Sequence, residues 1–260
     1  MYNLKKYGEW AIITGASSGI GKEFAFKIAN EKINLVLVAR RFELLKNIKN
    51  EIESKNNVQV KIIALDLSMT ENLEQLFSEL SEIEIGILVN NAGFGFSGDF
   101  VNQDFSSIKN MVNLNCVAPA LLTNYFANKM IKKNRGAIIF LSSILAFYST
   151  PFSAVYSASK AFNLYIGQAL AVELRKNNID VVAVSPGSTK TDFFKVAKMK
   201  GGPFLRNTEK VVHTALKNLN KKSSVVDGLI NKVLVLITKF LPRTFTTRLA
   251  GEIIKRLNLK

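Results

Sequence analysis

The chain has few of the residues that small or metal-bound domains depend on. Cys116 is its only cysteine and His213 its only histidine. A single cysteine excludes an intrachain disulfide and a thiolate metal cluster, and a single histidine argues against a zinc site or a serine-type proton relay. No proline-rich or Gly/Ser-rich linker divides the sequence, and no internal repeat is visible. The opening "MYNLKKYGEWAIITG" lacks a long apolar run, so no cleaved signal peptide is expected and a reduced, cytoplasmic setting fits.

Acidic residues are also scarce, 20 against 35 Lys and Arg, for a formal charge of +15. The imbalance is concentrated at the end: residues 186–260 hold 16 basic and 4 acidic side chains, the rest 19 and 16. Such a tail suits an anionic membrane surface or a merely solvated lysine-rich face. Nucleic acid is not expected, because no binding motif accompanies the charge.

What is present is a globular composition, 48% hydrophobic and 21% charged, in 260 residues. A single domain of that size buries roughly 75% of its unfolded surface without staples. Short apolar runs recur: "WAIIT" (10–14), "NLVLVA" (34–39), "VKIIAL" (60–65), "IGILVN" (85–90), "GAIIFLS" (136–142), "DVVAVS" (180–185) and "SSVVD" (223–227). Their lack of alternation predicts strands covered on both faces. The intervening stretches carry apolar residues at three- and four-residue spacing, which predicts helices. The expected fold class is therefore α/β: a Rossmann-like, doubly wound parallel sheet in three layers with about seven strands. Residues 1–228 would form the catalytic domain and 229–260 a helical C-terminal extension of it. Chemistry is then expected beyond the carboxyl ends of the strands.

Several motifs fall at those ends. "TGASSGIG" (14–21) follows the first strand and opens a helix; Gly15, Gly19 and Gly21 allow a tight turn and close approach to a pyrophosphate at a helix N-terminus. The second strand ends in Ala39, Arg40 and Arg41, where an acidic residue would select an unphosphorylated ribose. Guanidinium groups instead suit a 2′-phosphate, and so NADP(H) over NAD(H). Asp66 closes the third strand, "NNAG" (90–93) the fourth and Ser142–Ser143 the fifth. Tyr156 and Lys160 stand four residues apart, on nearly the same face of a helix. A lysine charge ~5 Å from the phenol, at an effective dielectric of ~20, would favour phenolate by roughly 3 kcal/mol and bring it towards neutral pH.

Taken in order, "TGASSGIG", "NNAG", Ser143, "YSASK" and "SPGSTKT" (185–191) resemble the signatures of the short-chain dehydrogenase/reductase family, over about Trp10 to Thr191. The resemblance implies an enzyme that interconverts a carbonyl and an alcohol with a nicotinamide cofactor, using an Asn–Ser–Tyr–Lys set. Ser143 would polarise the substrate oxygen, Tyr156 exchange its proton, and Lys160 bond the nicotinamide ribose. Both Asn113 and Asn115 lie in "VNLNCVAP"; the family's spacing back from "RG" (135–136) selects Asn115, which would hold a relay water. The cofactor site would draw on Gly15, Ser17, Ser18, Gly19, Ile20, Gly21, Arg40, Arg41, Asp66, Leu67, Asn91, Ala92 and Gly93. Tyr156, Lys160, Pro186, Gly187, Thr189 and Thr191 would complete it. One departure is that the glycine often found soon after the serine pair is replaced within "ILAF" (144–147). Family members tend to be homodimers or homotetramers.

Phe94, Phe96, Phe147, Tyr148, Phe152, Phe193 and Phe194 are candidates for an apolar substrate pocket. A lipophilic carbonyl substrate is expected; a 3-oxoacyl thioester is the alternative, and a non-catalytic cofactor-sensing module a third reading. Beyond residue 228, Phe245, Leu249, Ile253 and Leu257 recur every four residues beside basic charge. That stripe is expected to dock on the domain, on a second subunit or peripherally on a membrane.

Overall fold

The computed structural model describes residues 2–193 and 205–258, with side chains up to 256. Phe194 lies outside the described residues. Seven parallel strands, β1 (Trp10–Thr14), β2 (Asn34–Ala39), β3 (Val60–Ala64), β4 (Ile85–Asn90), β5 (Gly136–Leu141), β6 (Ile179–Ser185) and β7 (Ser224–Val226), form one sheet in the order 3-2-1-4-5-6-7. Each matches an apolar run in the sequence to within about a residue, because strands buried on both faces leave the clearest compositional trace. The order reverses between β1 and β4, which opens a crevice at their carboxyl ends.

The helices that cover the sheet are α1 (Gly19–Asn30), α2 (Phe42–Lys55), α3 (Asn72–Glu79), α4 (Phe105–Val112), α5 (Ala118–Lys133), α6 (Ala154–Glu173) and α7 (Thr208–Asn218). On one side α1, α2 and α7 bury Phe24, Ile28, Leu45, Ile52 and Val212 against Ile13, Leu35 and Val184. On the other, α3, α5 and α6 bury Leu76, Phe126 and Leu164 against Ile12, Leu88 and Phe140. These are the three expected layers.

α4 runs into α5 through a widened turn at Asn113–Val117 with π-helical bonding. Composition and spacing give no sign of this local loosening; the family resemblance implies a helix bent at Asn115, which lies within it.

Two further helices, α8 (Leu229–Phe240) and α9 (Arg243–Asn258), follow β7. α9 docks by Thr246, Ala250 and Ile254, with Gly251 against Pro151. Phe245, Leu249 and Ile253 are half exposed and Leu257 lies outside the described side chains, so of the surfaces expected for that stripe the domain itself is not the one it meets; the face that docks on the domain is the smaller one beside it. A glycine allows the close approach to Pro151, and the large side chains are displaced outward. No helix among the described residues is long and apolar enough to cross a membrane.

Candidate active site at the carboxyl edge of the sheet

The turn after β1 is shaped by positive φ at Gly15 (65°) and Gly19 (57°), a region that favours glycine. A Cβ on Gly21 would lie 2.3 Å from the Gly15 carbonyl, so α1 approaches β1 as only glycine permits. Thr14 Oγ1 accepts from the amides of Asn91 and Ala92 at 3.0 Å, and Asn91 Nδ2 donates to the Thr14 carbonyl at 2.8 Å. The Asn91 side chain thus ties two strand ends together. It is committed to protein, while Ala92 packs against the core and Gly93 lies against Asn115 and Lys160.

Arg41 reaches back over the glycine turn. Its Nη2 donates to Ser17 Oγ and Ser18 Oγ, both at 2.8 Å, and its Nε to Ser17 Oγ at 3.2 Å. The guanidinium and two hydroxyls form a compact positive cradle beside the start of α1, whose first turn has no acidic residue. Arg40 points elsewhere, largely exposed, 3.6 Å from Asp66. Burial works against the Asp66 charge, but the Ser68 amide and hydroxyl, with Arg40, hold its carboxyl below the ordinary carboxylate range. Leu67 beside it is buried. Of the two arginines, Arg41 is the one integrated with the turn.

At the end of β5, Ser142 Oγ donates to the Lys160 carbonyl, and the Ser143 Oγ accepts from the Leu145 amide at 3.2 Å. Ser143 is buried beside the Tyr156 phenol. The tyrosine ring lies between Gly95, where a Cβ would come within 2.6 Å of it, and Phe193, whose ring centroid is 5.4 Å away. Gly95 was not legible as a site residue; its requirement comes from a ring contributed 61 residues later.

Lys160 is buried and donates to the Leu141 carbonyl at 2.9 Å, with Nζ 5.8 Å from the Tyr156 ring centroid. This changes the expected electrostatics. Burial pushes the Tyr156 phenol up, against a smaller downward pull from Ser143, and burial lowers Lys160 to about 8. Desolvation outweighs a lysine charge that sits beside the ring and is turned to a strand carbonyl. The phenol therefore stays protonated at neutral pH, a donor in waiting rather than a phenolate.

Asn115 lies in the π-helical turn, fully enclosed. Its Nδ2 donates to the Phe94 carbonyl and to Ser159 Oγ, both at 2.9 Å, and its Oδ1 accepts from the Phe94 amide at 3.1 Å. Asn163 Nδ2 donates to the Asn115 carbonyl at 2.8 Å. Asn113 instead bonds the Ser68 carbonyl, away from this cluster, so the structure separates the two asparagines. Ser159, Lys160 and Asn163 are buried on one strip of α6; the polar strip within "SKAFN" was the available signal for the two that sequence reasoning missed.

The segment after β6 closes the far side. Thr191 packs against Gly19, while Thr189 Oγ1 donates to the Gly187 carbonyl at 3.0 Å. The Pro186 carbonyl accepts from the Ile144 amide at 3.0 Å. Gly187 lies against the Asn231 amide of α8. Arg206 brackets Thr189 with backbone bonds to Ser188 and Lys190, and pairs with the fully buried Asp227. The Phe94 and Phe96 ring centroids lie 6.4 Å apart on either side of Gly95, whereas Phe147 is half-buried and packs against the core. Phe152 sits at a strained φ of 63°, and its carbonyl accepts from the Gly98 amide.

Residues 9–200 match the model of the short chain dehydrogenase family. The 7β-hydroxysteroid dehydrogenase of Mediterraneibacter gnavus is 31% identical over 89% of this chain and 90% of its own length. A structure solved for 7β-hydroxysteroid dehydrogenase stereoselectivity superposes with a TM-score of 0.89 at 30% identity, covering 95% and 99% of the two chains. The very-long-chain 3-oxoacyl-CoA reductase of Rattus norvegicus is 31% identical over 92% of this chain and 77% of its own. A short-chain dehydrogenase from Sphingobium yanoikuyae in complex with NADPH has a TM-score of 0.80 at 31% identity, covering 88% and 92%. With the glycine turn, the buried serine and lysine, the half-buried tyrosine and the seven-stranded sheet all in place, this chain belongs to the short-chain dehydrogenase family, oxidoreductases that use a nicotinamide cofactor on hydroxyl and carbonyl groups.

Proposed function

We propose that the protein reduces a lipophilic ketone with NADPH, and that the reading rests most on one observation: the Tyr156 phenol beside the Ser143 hydroxyl, with its ring against Phe193 and the backbone of Gly95, between Phe94 and Phe96 in the chain. Ser143 would hold the carbonyl oxygen and Tyr156 would give it a proton as charge develops there. A phenol raised by burial suits that direction, since it is fully protonated before the reaction begins. Lys160, charged below about 8, supplies a nearby positive charge for the phenolate that remains. Asn115 fixes the loop bearing Phe94 and, through Ser159, the helix bearing the tyrosine and lysine.

The nicotinamide cofactor supplies the hydride when bound. The residues present fit such a group: the Gly15–Gly21 turn leaves backbone amides clear at the head of α1, and Gly93 leaves Lys160 Nζ within 3.3 Å of where a side chain would begin. Arg41 with Ser17 and Ser18 favours a 2′-phosphate over a bare ribose, and the NADPH complex of the Sphingobium relative supports the same preference. Asp66 and Leu67 would line the adenine end, and Pro186, Gly187, Thr189 and Thr191 the nicotinamide end. We assign the exposed Leu121, Phe162, Tyr165 and Val172 of α5 and α6 to pairing with a second copy.

Relatives named for a hydroxysteroid and for a very-long-chain 3-oxoacyl thioester support a bulky apolar substrate and keep the thioester as the second reading. A cofactor-oxidation screen with NADPH and NADH, across steroid ketones, bulky aryl ketones, 3-oxoacyl thioesters and small polar sugars, tests the proposal. Turnover of bulky ketones with NADPH is expected. Turnover confined to polar sugars, or equal use of NADH, would overturn it.

A further inference from the structure

α8 is mounted the wrong way round for a helix that belongs to a core. It contacts the 144–147 turn with Val235 buried, and it bonds the protein through Asn231, whose Nδ2 donates to the Asp227 carbonyl at 2.7 Å. Half-buried Thr238 lies on the same side. At 3.6 residues per turn, Leu229, Ile230, Val233, Leu236, Ile237 and Phe240 fall on the opposite side, with Leu234 at its border. All seven are exposed, from 48% to 81%. Neighbouring α9 adds Phe245, Leu249 and Ile253, each about half exposed. Seven exposed apolar side chains on one helix of twelve residues mark a contact surface.

We propose that this face lies on an anionic lipid surface, with α8 inserted at headgroup depth and α9 beside it. The charge around it decides between occupants. Residues 229–260 contain seven Lys and Arg and a single acid, Glu252. Lys232 and Lys239 flank the apolar side of α8, and Arg248, Lys255 and Arg256 are exposed on α9. Two copies meeting through this face would bring like charge against like charge. An anionic bilayer instead takes up the apolar side chains and attracts the flanking cations. The arrangement also sets the outward helix directly on the substrate side of the fold, since Asn231 touches Gly187 and α8 touches the turn that follows Ser143. A lipid-dissolved ketone would then reach the crevice without crossing water. That last step rests on the lipophilic-substrate reading; the docking itself does not.

The test uses the full chain and vesicles of phosphatidylcholine with or without phosphatidylglycerol, read by flotation and by light-scattering mass in solution. Flotation with the anionic vesicles, weakened by salt and near zero on neutral ones, is expected. Lys232→Gln and Lys239→Gln should each weaken binding about fivefold at low ionic strength. Ile230→Gln with Leu234→Gln and Ile237→Gln should abolish it while leaving cofactor binding and solution mass unchanged. Absence of flotation on anionic vesicles, or an undiminished response from the apolar triple variant, overturns the proposal. A fall in solution mass in that variant would assign the face to a second copy and overturn it equally. Vesicle binding needs no turnover, so its failure is distinguishable from failure of the substrate reading.

Discussion

Around Ser143 and Tyr156, polar groups are buried; on α8, which follows later in the chain, apolar groups are exposed. In the first region Asn115, Ser159, Lys160 and Asn163 all lie under 7% exposed, and each has a hydrogen-bond partner. In the second, Leu229 and Phe240 are more than 70% exposed with Val235 alone beneath them. Both depart from the usual rule of apolar inside and polar outside, and both departures lie where function is expected. The first is a set of partnered polar groups held ready for a substrate oxygen. The second is an apolar surface awaiting its own solvent.

If the buried polar cluster is chemical and not merely structural, Ser143→Ala should lower kcat by about 10²–10³ while leaving the KM for NADPH near its starting value. Steady-state kinetics check this, and loss of cofactor affinity instead would make Ser143 a structural residue. The cradle at Arg41 should behave in the opposite way. Removing it by Arg41→Ala costs charge-assisted bonds, so the KM for NADPH should rise about 10–100-fold with NADH scarcely affected. Gly21→Ala should destabilise the fold by about 1–3 kcal/mol through overlap with the Gly15 carbonyl, read as a lower denaturant midpoint.

The smallest expected effect concerns Lys160. Its folded pKa of about 8 lies below the ordinary lysine value of 10.5, so burying its ammonium costs stability at neutral pH. Between about 8 and 10.5 the unfolded state holds the proton that the folded state has released, and stability from this group rises with pH. The Tm of the cofactor-free protein relative to Lys160→Met should therefore improve from pH 7.5 to 9.5; a constant difference would mean that the ammonium is not desolvated.

Much of this was legible in the sequence, for identifiable reasons. The strands announced themselves because burial on both faces leaves them almost wholly apolar, as in "IGILV" before Asn90. The glycine turn and the Tyr156–Lys160 spacing were readable because each follows from local geometry. What spacing fixes, however, is the face of a helix and not the direction of a side chain's end. Lys160 shares a face with Tyr156 yet turns to the Leu141 carbonyl, which no local pattern specifies. Likewise, the four-residue stripe on α9 was real, but which of two adjacent stripes docks depended on Gly251 meeting Pro151 a hundred residues away. The outward mounting of α8 was hidden for the same reason: an apolar helix reads as buried until its neighbours are known.

The most direct test of the mechanism is Tyr156→Phe, assayed by single-turnover NADPH oxidation with the best ketone from the screen. The ring keeps its packing against Gly95 and Phe193, so cofactor affinity should persist while the rate of carbonyl reduction falls by about 10²–10⁴. A rate equal to that of the unmodified protein would show that the proton comes from elsewhere, and would contradict the account.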